Sequence, residues 1–343
     1  VSRVPRSAEE RASGAPEIRL RRLVKRYDQR VALRGIDLEV SGAQIVGVVG
    51  PDGAGKTTLL RSLAGLLEIE AEEASVLGHD LRGDVTALKE VLGYVPQVFS
   101  LYPELTVREN LGVVARLHML DDAELERRAM PVLERTGLAP FVGRQAGKLS
   151  GGMKQKLAVT CALLPEPRVL ILDEPTAGVD VVARDQIWEI LNERKDQVLI
   201  LISTSYLEEV AACDRLVYLD EGRVVAVGAP NELCAAVPLE LYRAWGDDPR
   251  AIARAVRALD YVDGARATGR FARIEVRRDR SPGAERVLRD LWSLRDAGVR
   301  LAEQARLDIE SMLLALSRED LSASGPPGGT NTARDAREPT GPS

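Results

Sequence analysis

Histidine, cysteine, long apolar runs and surplus basic charge are all scarce in this 343-residue chain. Its two histidines, His79 and His118, cannot build a zinc site alone, and both are expected in loops or at the surface. The three cysteines, Cys161, Cys213 and Cys234, form no CxxC pair, and an odd count argues against a disulfide framework. They read as small buried apolar residues of a protein from a reducing cytoplasm. No apolar run approaches the ~18 residues that span a bilayer. The N-terminal stretch VSRVPRSAEERASGAPE carries charge but no apolar h-region, so it is not expected to be a secretory signal. If the protein works at a membrane, the spans are expected from another chain. With 47 basic against 52 acidic residues the net charge is −5, which disfavours a general nucleic-acid footprint. No nucleic-acid partner is expected.

What is present is ample core material, 45% hydrophobic, and a length that suggests about two domains. Residues 1–16 and the tail 321–343, rich in Gly, Pro, Ser and Thr, are expected to be disordered. Residues 17–237 alternate strands and helices. The strand candidates are IRLRRLV, GIDLEV, QIVGVVG, RVLILDE, QVLILIST and the hairpin RLVYLDEGRVVAVG, turning at Asp220–Arg223. Val169–Leu172 and Val198–Ile202 are apolar without alternation, as in parallel strands covered on both faces. Residues from about 99 to 164 are mostly helical in pattern, with a capping-box start at Thr106-Val107-Arg108-Glu109. Residues 238–320 read as a small α+β domain. FARIEVR alternates Ala272, Ile274 and Val276 with Arg273, Glu275 and Arg277, which predicts a half-buried antiparallel strand. Helices are expected over 249–258 and 284–296, with a last one after Asp308 that aligns Ile309, Met312, Leu313 and Leu316.

Gly50-Pro-Asp-Gly-Ala-Gly55-Lys56-Thr57 matches G-x-x-x-x-G-K-[ST], between an apolar strand and a helical run. Gly50, Asp52, Gly53, Ala54, Gly55, Lys56, Thr57 and Thr58 are therefore candidate phosphate-binding residues. Glycines let backbone N–H groups approach phosphate, and the helix start adds a favourable dipole. Lys56 neutralises β/γ-phosphate charge, and Thr57 is a candidate Mg²⁺ ligand. Asp173 and Glu174 end the strand Val169–Leu172. Asp173 is placed to hold Mg²⁺ through water, and Glu174 to polarise an attacking water. Leu149-Ser150-Gly151-Gly152-Met153 makes a second anion-binding helix start.

With LSGG in place, the sequence resembles the ATP-binding-cassette (ABC) ATPases, from about Ile18 to Val237. That resemblance implies an α/β P-loop cassette: a RecA-like core, an antiparallel β subdomain and a helical subdomain. It also implies that Ser150, Gly151 and Gly152 reach the γ-phosphate of ATP held by a second cassette, the two closing head-to-tail. By the same resemblance Tyr27 stacks on adenine, although a tyrosine packed at the domain edge is a rival reading. Gln97 touches Mg²⁺ or the attacking water. Asp180, in Pro175–Asp180, lies in the loop that crosses the dimer interface, or simply caps the next helix. The segment LYPELTVREN lies where such ATPases meet their membrane partner.

One position departs. The histidine that the family places against the γ-phosphate is Ser205 here, a hydroxyl with no titratable ring. LSGGMKQKLAV and STSYLEE are similar to the ABC-2 type drug- and antibiotic-efflux branch, including the daunorubicin-resistance type. The resemblance implies a homodimeric ATPase, with ATP and Mg²⁺, peripheral on the cytoplasmic face of a separate ABC-2 type permease. A soluble ABC protein acting on nucleic acid or ribosomes, and a weakly catalytic regulatory cassette, are the alternatives.

Overall fold

The computed structural model describes residues 17–98 and 100–317. The expected arm 1–16 and tail 321–343 lie outside the described residues, as do Phe99 and residues 318–320.

The chain opens with a hairpin of β1 (Glu17–Tyr27) and β2 (Arg30–Ser41). It then crosses into a second layer as β3 (Gln44–Val49), which leads to α1 (Lys56–Leu63). β4 (Glu73–Val76) returns to pair with β1 and turns into β5 (His79–Asp80), closing a four-stranded sheet ordered β2-β1-β4-β5. A short α2 (Thr86–Lys89) precedes β6 (Leu92–Val95). The helical subdomain is α3 (Val107–Leu117), α4 (Asp122–Arg135) and α5 (Gly151–Leu163). Thr106 and Glu109 make the reciprocal capping box at its first helix.

The chain then returns through β7 (Val169–Asp173), α6 (Val181–Arg194), β8 (Leu199–Ser203) and α7 (Leu207–Ala212). The hairpin of β9 (Arg215–Asp220) and β10 (Arg223–Gly228) and then α8 (Pro230–Ala236) complete this region. The six-stranded sheet runs β10-β9-β3-β8-β7-β6, parallel except for the edge strand β10. Every residue of β7 and β8 is buried, which explains their uninterrupted apolar runs. The order places β8 between β3 and β7. The phosphate loop, the acid pair and the hydroxyl run Ser203–Tyr206 therefore emerge side by side at the carboxyl edge, where open α/β sheets bind ligands.

The C-terminal region contains β11 (Leu239–Gly246), α9 (Pro249–Val256), β12 (Val262–Thr268), β13 (Phe271–Arg277), α10 (Ala284–Ser293), β14 (Val299–Ala305) and α11 (Ile309–Leu316). Its antiparallel sheet is ordered β12-β13-β11-β14. α9 and α10 cover one face with Ile252, Val256, Val287 and Leu291.

Three readings of the sequence change here. FARIEVR is not half-buried: Arg273 and Glu275 are 3% and 5% exposed. Their face is covered by the start of α11, whose Asp308, Glu310 and Ser311 bond to them. α11 itself packs on the cassette, where Met312 and Ala315 join the core that holds Tyr218, Leu233 and Val237. Burying one such side chain is worth roughly 1.5–3 kcal/mol. His79 opens a short strand rather than sitting in a loop. Finally, the helix expected to reach 296 ends at Ser293, and its last residues tighten into a 3₁₀ turn, Leu294–Ala297. Of the three cysteines expected to be buried, Cys213 is buried and Cys161 and Cys234 are half-buried, and burial pushes the thiols of Cys161 and Cys213 up to about 12.

Candidate active site

The phosphate loop needs its glycines for close approach. Gly50 sits at φ 148°, and a Cβ there would lie 2.0 Å from the carbonyl oxygen of Leu219. Gly55, at φ 106°, ends the loop as the N-cap of α1 and contributes no capping side chain. The first N–H groups of α1 are thus left to an incoming anion. Lys56 is 7% exposed, and its ammonium donates to the carbonyls of Gly50 at 2.8 Å and Pro51 at 3.1 Å. The exposed Asp52 carboxylate lies 3.9 Å away, beyond hydrogen-bond reach, so this buried cation still favours an anionic partner.

A cavity of about 320 Å³ opens over this loop. Asp52, Gly53, Gly55, Lys56, Thr57 and Thr58 form its floor, and Gln97 and Glu174 face it from the acid side. Tyr27, 42% exposed, lines it at the end of β1. Arg30 and Ala32 of β2 also line it, and no motif in the sequence singled them out.

The acids are coupled to the loop by hydrogen bonds. Thr57 Oγ1 donates to Asp173 Oδ1 at 3.1 Å. Asp173 is 0% exposed, and its other oxygen, Oδ2, is buried without a partner. Glu174 adopts a left-handed backbone, φ 49°, and its carboxylate accepts from Gln97 Nε2 at 3.1 Å. Gln97 and Glu174 lie 77 residues apart in the chain and meet only because β6 and β7 are neighbours.

Ser203 is the residue that sequence reasoning missed. It ends β8 in register with Asp173 on β7. Its hydroxyl donates to Asp173 Oδ1 at 2.8 Å and accepts from the Glu174 amide at 2.9 Å. The run of hydroxyls from Ser203 to Tyr206 was the available signal.

The remaining candidates lie away from this cavity's lining. Ser150 caps α5, accepting from the Met153 amide at 3.3 Å. Gly151 follows it in the exposed first turn, and Gly152 is buried against the start of α6, close to Asp180. Asp180 caps α6 through the Ala183 amide at 3.0 Å, which is the rival role the sequence left open. Ala54 is buried under the loop. Ser205 is exposed, in the turn between β8 and α7, and is not part of the lining. That turn is held by its neighbours: Thr204 donates to the buried Glu209, and the Arg184 guanidinium stacks 3.8 Å from the Tyr206 ring centroid.

Comparison with known proteins agrees with this geometry. Residues 33–177 match the ABC transporter family. A probable multidrug ABC transporter ATP-binding protein of Escherichia coli K12 is 45% identical over 219 residues, 63% of this chain. The chain spans only 38% of that relative's length. A Nod factor export ATP-binding protein of Burkholderia orbicola is 37% identical over 238 residues, 68% of this chain and 78% of the relative. A daunorubicin resistance ATP-binding protein of Streptomyces coeruleorubidus is 40% identical over 213 residues, 62% of this chain and 67% of the relative. A solved ATP-binding subunit of an ABC transporter superposes with a TM-score of 0.60 at 33% identity, over 64% of this chain and 92% of that one. The sheet order, the phosphate loop and these relatives agree, and the chain belongs to the ABC transporter ATP-binding proteins.

Proposed function

We propose that this chain is the ATP-hydrolysing subunit of an ABC-2 type exporter. It pairs head-to-tail with a second copy of itself around two ATP molecules, on the cytoplasmic face of a separate membrane permease. Relatives named for multidrug transport and daunorubicin resistance support a drug or antibiotic as the exported cargo. Among the described residues no helix is long and apolar enough to cross a membrane. That is in keeping with a separate permease.

The observation that carries the reading is the grouping of Lys56, Thr57, Glu174 and Gln97 around one cavity, with Gln97 bonded to Glu174 and the buried Asp173 bonded to Thr57 behind the lining. The division of the candidates supports the dimer. The phosphate loop stands at the cavity, whereas Ser150, Gly151 and Asp180 stand exposed and outside its lining, free to complete another copy's site.

The donors present fit a hard divalent cation. Thr57, Gln97 and Asp173 offer oxygens only, and Asp173 Oδ2 is buried with nothing else to satisfy it. Among the described residues no group of three or more His, Cys, Asp or Glu could hold a metal, so water and the substrate's phosphates would fill the rest of the shell. Mg²⁺ bound there supplies charge neutralisation on the transferring phosphoryl group. Lys56 adds a fixed positive charge at the β/γ-phosphates, and Glu174 takes the proton of the attacking water.

Ser205 favours a second reading, a cassette that binds ATP chiefly for regulation, because the exposed serine offers no cation beside the γ-phosphate. Turnover of purified wild type, Glu174→Gln and Ser205→His, alone and with the permease, decides between them. Wild type is expected to exceed Glu174→Gln in the presence of Mg²⁺. A wild type no faster than that variant in either setting sinks the enzyme reading and leaves the regulatory one.

A further inference from the structure

We propose that Ser203 is a positioning residue for ATP hydrolysis: its hydroxyl sets Asp173 and Glu174 in their working orientations. The inference rests on the reading of this site as an ATPase centre.

A serine hydroxyl has one proton and two lone pairs. Here the proton goes to Asp173 Oδ1 at 2.8 Å, and a lone pair takes the Glu174 amide at 2.9 Å. Oδ1 also accepts from Thr57 at 3.1 Å, so both of its donors pull on the same oxygen. The carboxylate is thereby fixed in rotation, with Oδ2 turned away, buried and unpartnered. An oxygen left so is costly unless something else fills its shell. Ser203 and Thr57 together reserve it for a cation.

The second bond acts on Glu174. That residue has a left-handed backbone at φ 49°, which a glutamate adopts only under constraint. Its amide is tied to Ser203, its carbonyl accepts from the Ala177 amide at 3.2 Å, and its carboxylate is tied to Gln97. The residue is thus held at backbone and side chain at once. The distance between the metal-side acid and the water-side acid is set across the strand pair, by a hydroxyl on β8, rather than by β7 alone. Ser203 is fully buried and acts only through these two residues.

Two substitutions of equal shape isolate the hydroxyl. Ser203→Thr keeps it and Ser203→Val removes it, and both side chains suit a strand. Full-length variants are compared in turnover against Mg²⁺ concentration, and in equilibrium binding of ATP with Mg²⁺ and with EDTA. The threonine variant is expected to stay within about threefold of wild type in turnover, and the valine variant to lose roughly 10–100-fold, the usual loss when a residue supporting a metal ligand is removed. In EDTA the two variants bind ATP alike, while the gain in ATP affinity on adding Mg²⁺ shrinks several-fold in the valine variant. A purely structural hydroxyl predicts lower thermal stability in the valine variant, with the Mg²⁺ gain and turnover equal to those of the threonine variant. That result overturns the proposal. If wild type turns over no faster than Glu174→Gln, the hydrolysis reading fails on its own, and the Mg²⁺ gain in ATP binding still decides the role of Ser203.

Discussion

β8 in the cassette sheet and β13 in the C-terminal sheet are both covered on both faces, by opposite means. β8 reads LILIS, with apolar side chains on either side and one hydroxyl at its end. β13 reads FARIEVR, and its inward polar face is neutralised from outside. Arg273 Nη1 donates to Asp308 Oδ2 at 2.6 Å and to Glu310 Oε2 at 3.3 Å, and Ser311 Oγ donates to Glu275 Oε1 at 3.0 Å. Arg266 pairs with Glu310 at 2.8 Å. The cassette strand brings its one hydroxyl to the buried Asp173 of β7, one of whose carboxylate oxygens is left without a partner. The C-terminal strand spends its polar atoms inside the fold, fastening α11, whose other side enters the cassette core. Buried polarity signals chemistry in the first case and attachment in the second: Asp173 Oδ2 is left without a hydrogen bond, whereas Arg273, although its Nε also lacks one, has its charge met by Asp308, Glu310 and Glu275.

The largest expected effect tests the chemical half of this contrast. Glu174→Gln removes the base while keeping the shape and the amide bond to Ser203. Turnover should fall by about 10²–10⁴-fold, the range for loss of a general base, with ATP binding retained. Steady-state hydrolysis alongside equilibrium nucleotide binding measures both. A parallel loss of binding would mean that Glu174 shapes the pocket rather than acts in it.

Next in size is the attachment half. Arg273→Met leaves Glu275 and Asp308 without their main cation, while Glu310 keeps Arg266, and breaking a buried ion pair from one side costs about 3–5 kcal/mol. Denaturant unfolding should show that loss, while the ATP affinity of whatever fraction is folded stays unchanged. Changed nucleotide affinity would instead show that α11 transmits to the ATP site through α7, against which it packs.

A smaller effect is acid lability of the same cluster. Burial pushes the Asp308 carboxyl up, but bonds from the Arg273 guanidinium and the Ser311 amide outweigh it and hold the carboxyl below its ordinary value. A depressed folded pKa makes a contribution that is complete above the unfolded value, about 3.9, and is lost as pH falls toward the folded one. The unfolding free energy of wild type should therefore decline below about pH 4 more steeply than that of Asp308→Asn. Equal slopes would take Asp308 out of the attachment.

Much of the cassette was legible because its signals are local. The phosphate loop is one short segment, Gly50 to Thr57, and the buried parallel strands announce themselves as apolar runs. The short strands β4, EASV, and β6, LGYV, carry too few residues to show a period, and β12, VDGARAT, has its pattern broken by Gly264. β13 misled for a different reason: its alternation was read correctly, but the acids that bury Arg273 come from 35 and 37 residues further on. Ser203 escaped for the same reason. Its partner Asp173 is 30 residues away and becomes a neighbour only through strand register. Tertiary pairing, not local propensity, decides which polar residues are buried.

The smallest expected effect concerns the end of β8 itself. Ser205→His restores an imidazole two residues beyond the Ser203 that binds the acids, in a turn held by Thr204, Glu209, Tyr206 and Arg184. Because Ser205 is exposed, the larger ring meets little steric cost. A protonatable group able to hydrogen-bond the γ-phosphate should raise turnover several-fold, by roughly 1 kcal/mol of transition-state stabilisation, and add an acid limb to the pH–rate profile near the imidazole pKa. The pH profile is the discriminating readout, since a general change in loop stability would alter the rate without adding a titration. If turnover and profile are both unchanged, the β8 edge contributes through Ser203 alone, and the contrast with β13 narrows to two hydroxyls: Ser203 at the end of β8 serving a reaction, and Ser311 of α11, bonded to Glu275 of β13, serving a joint.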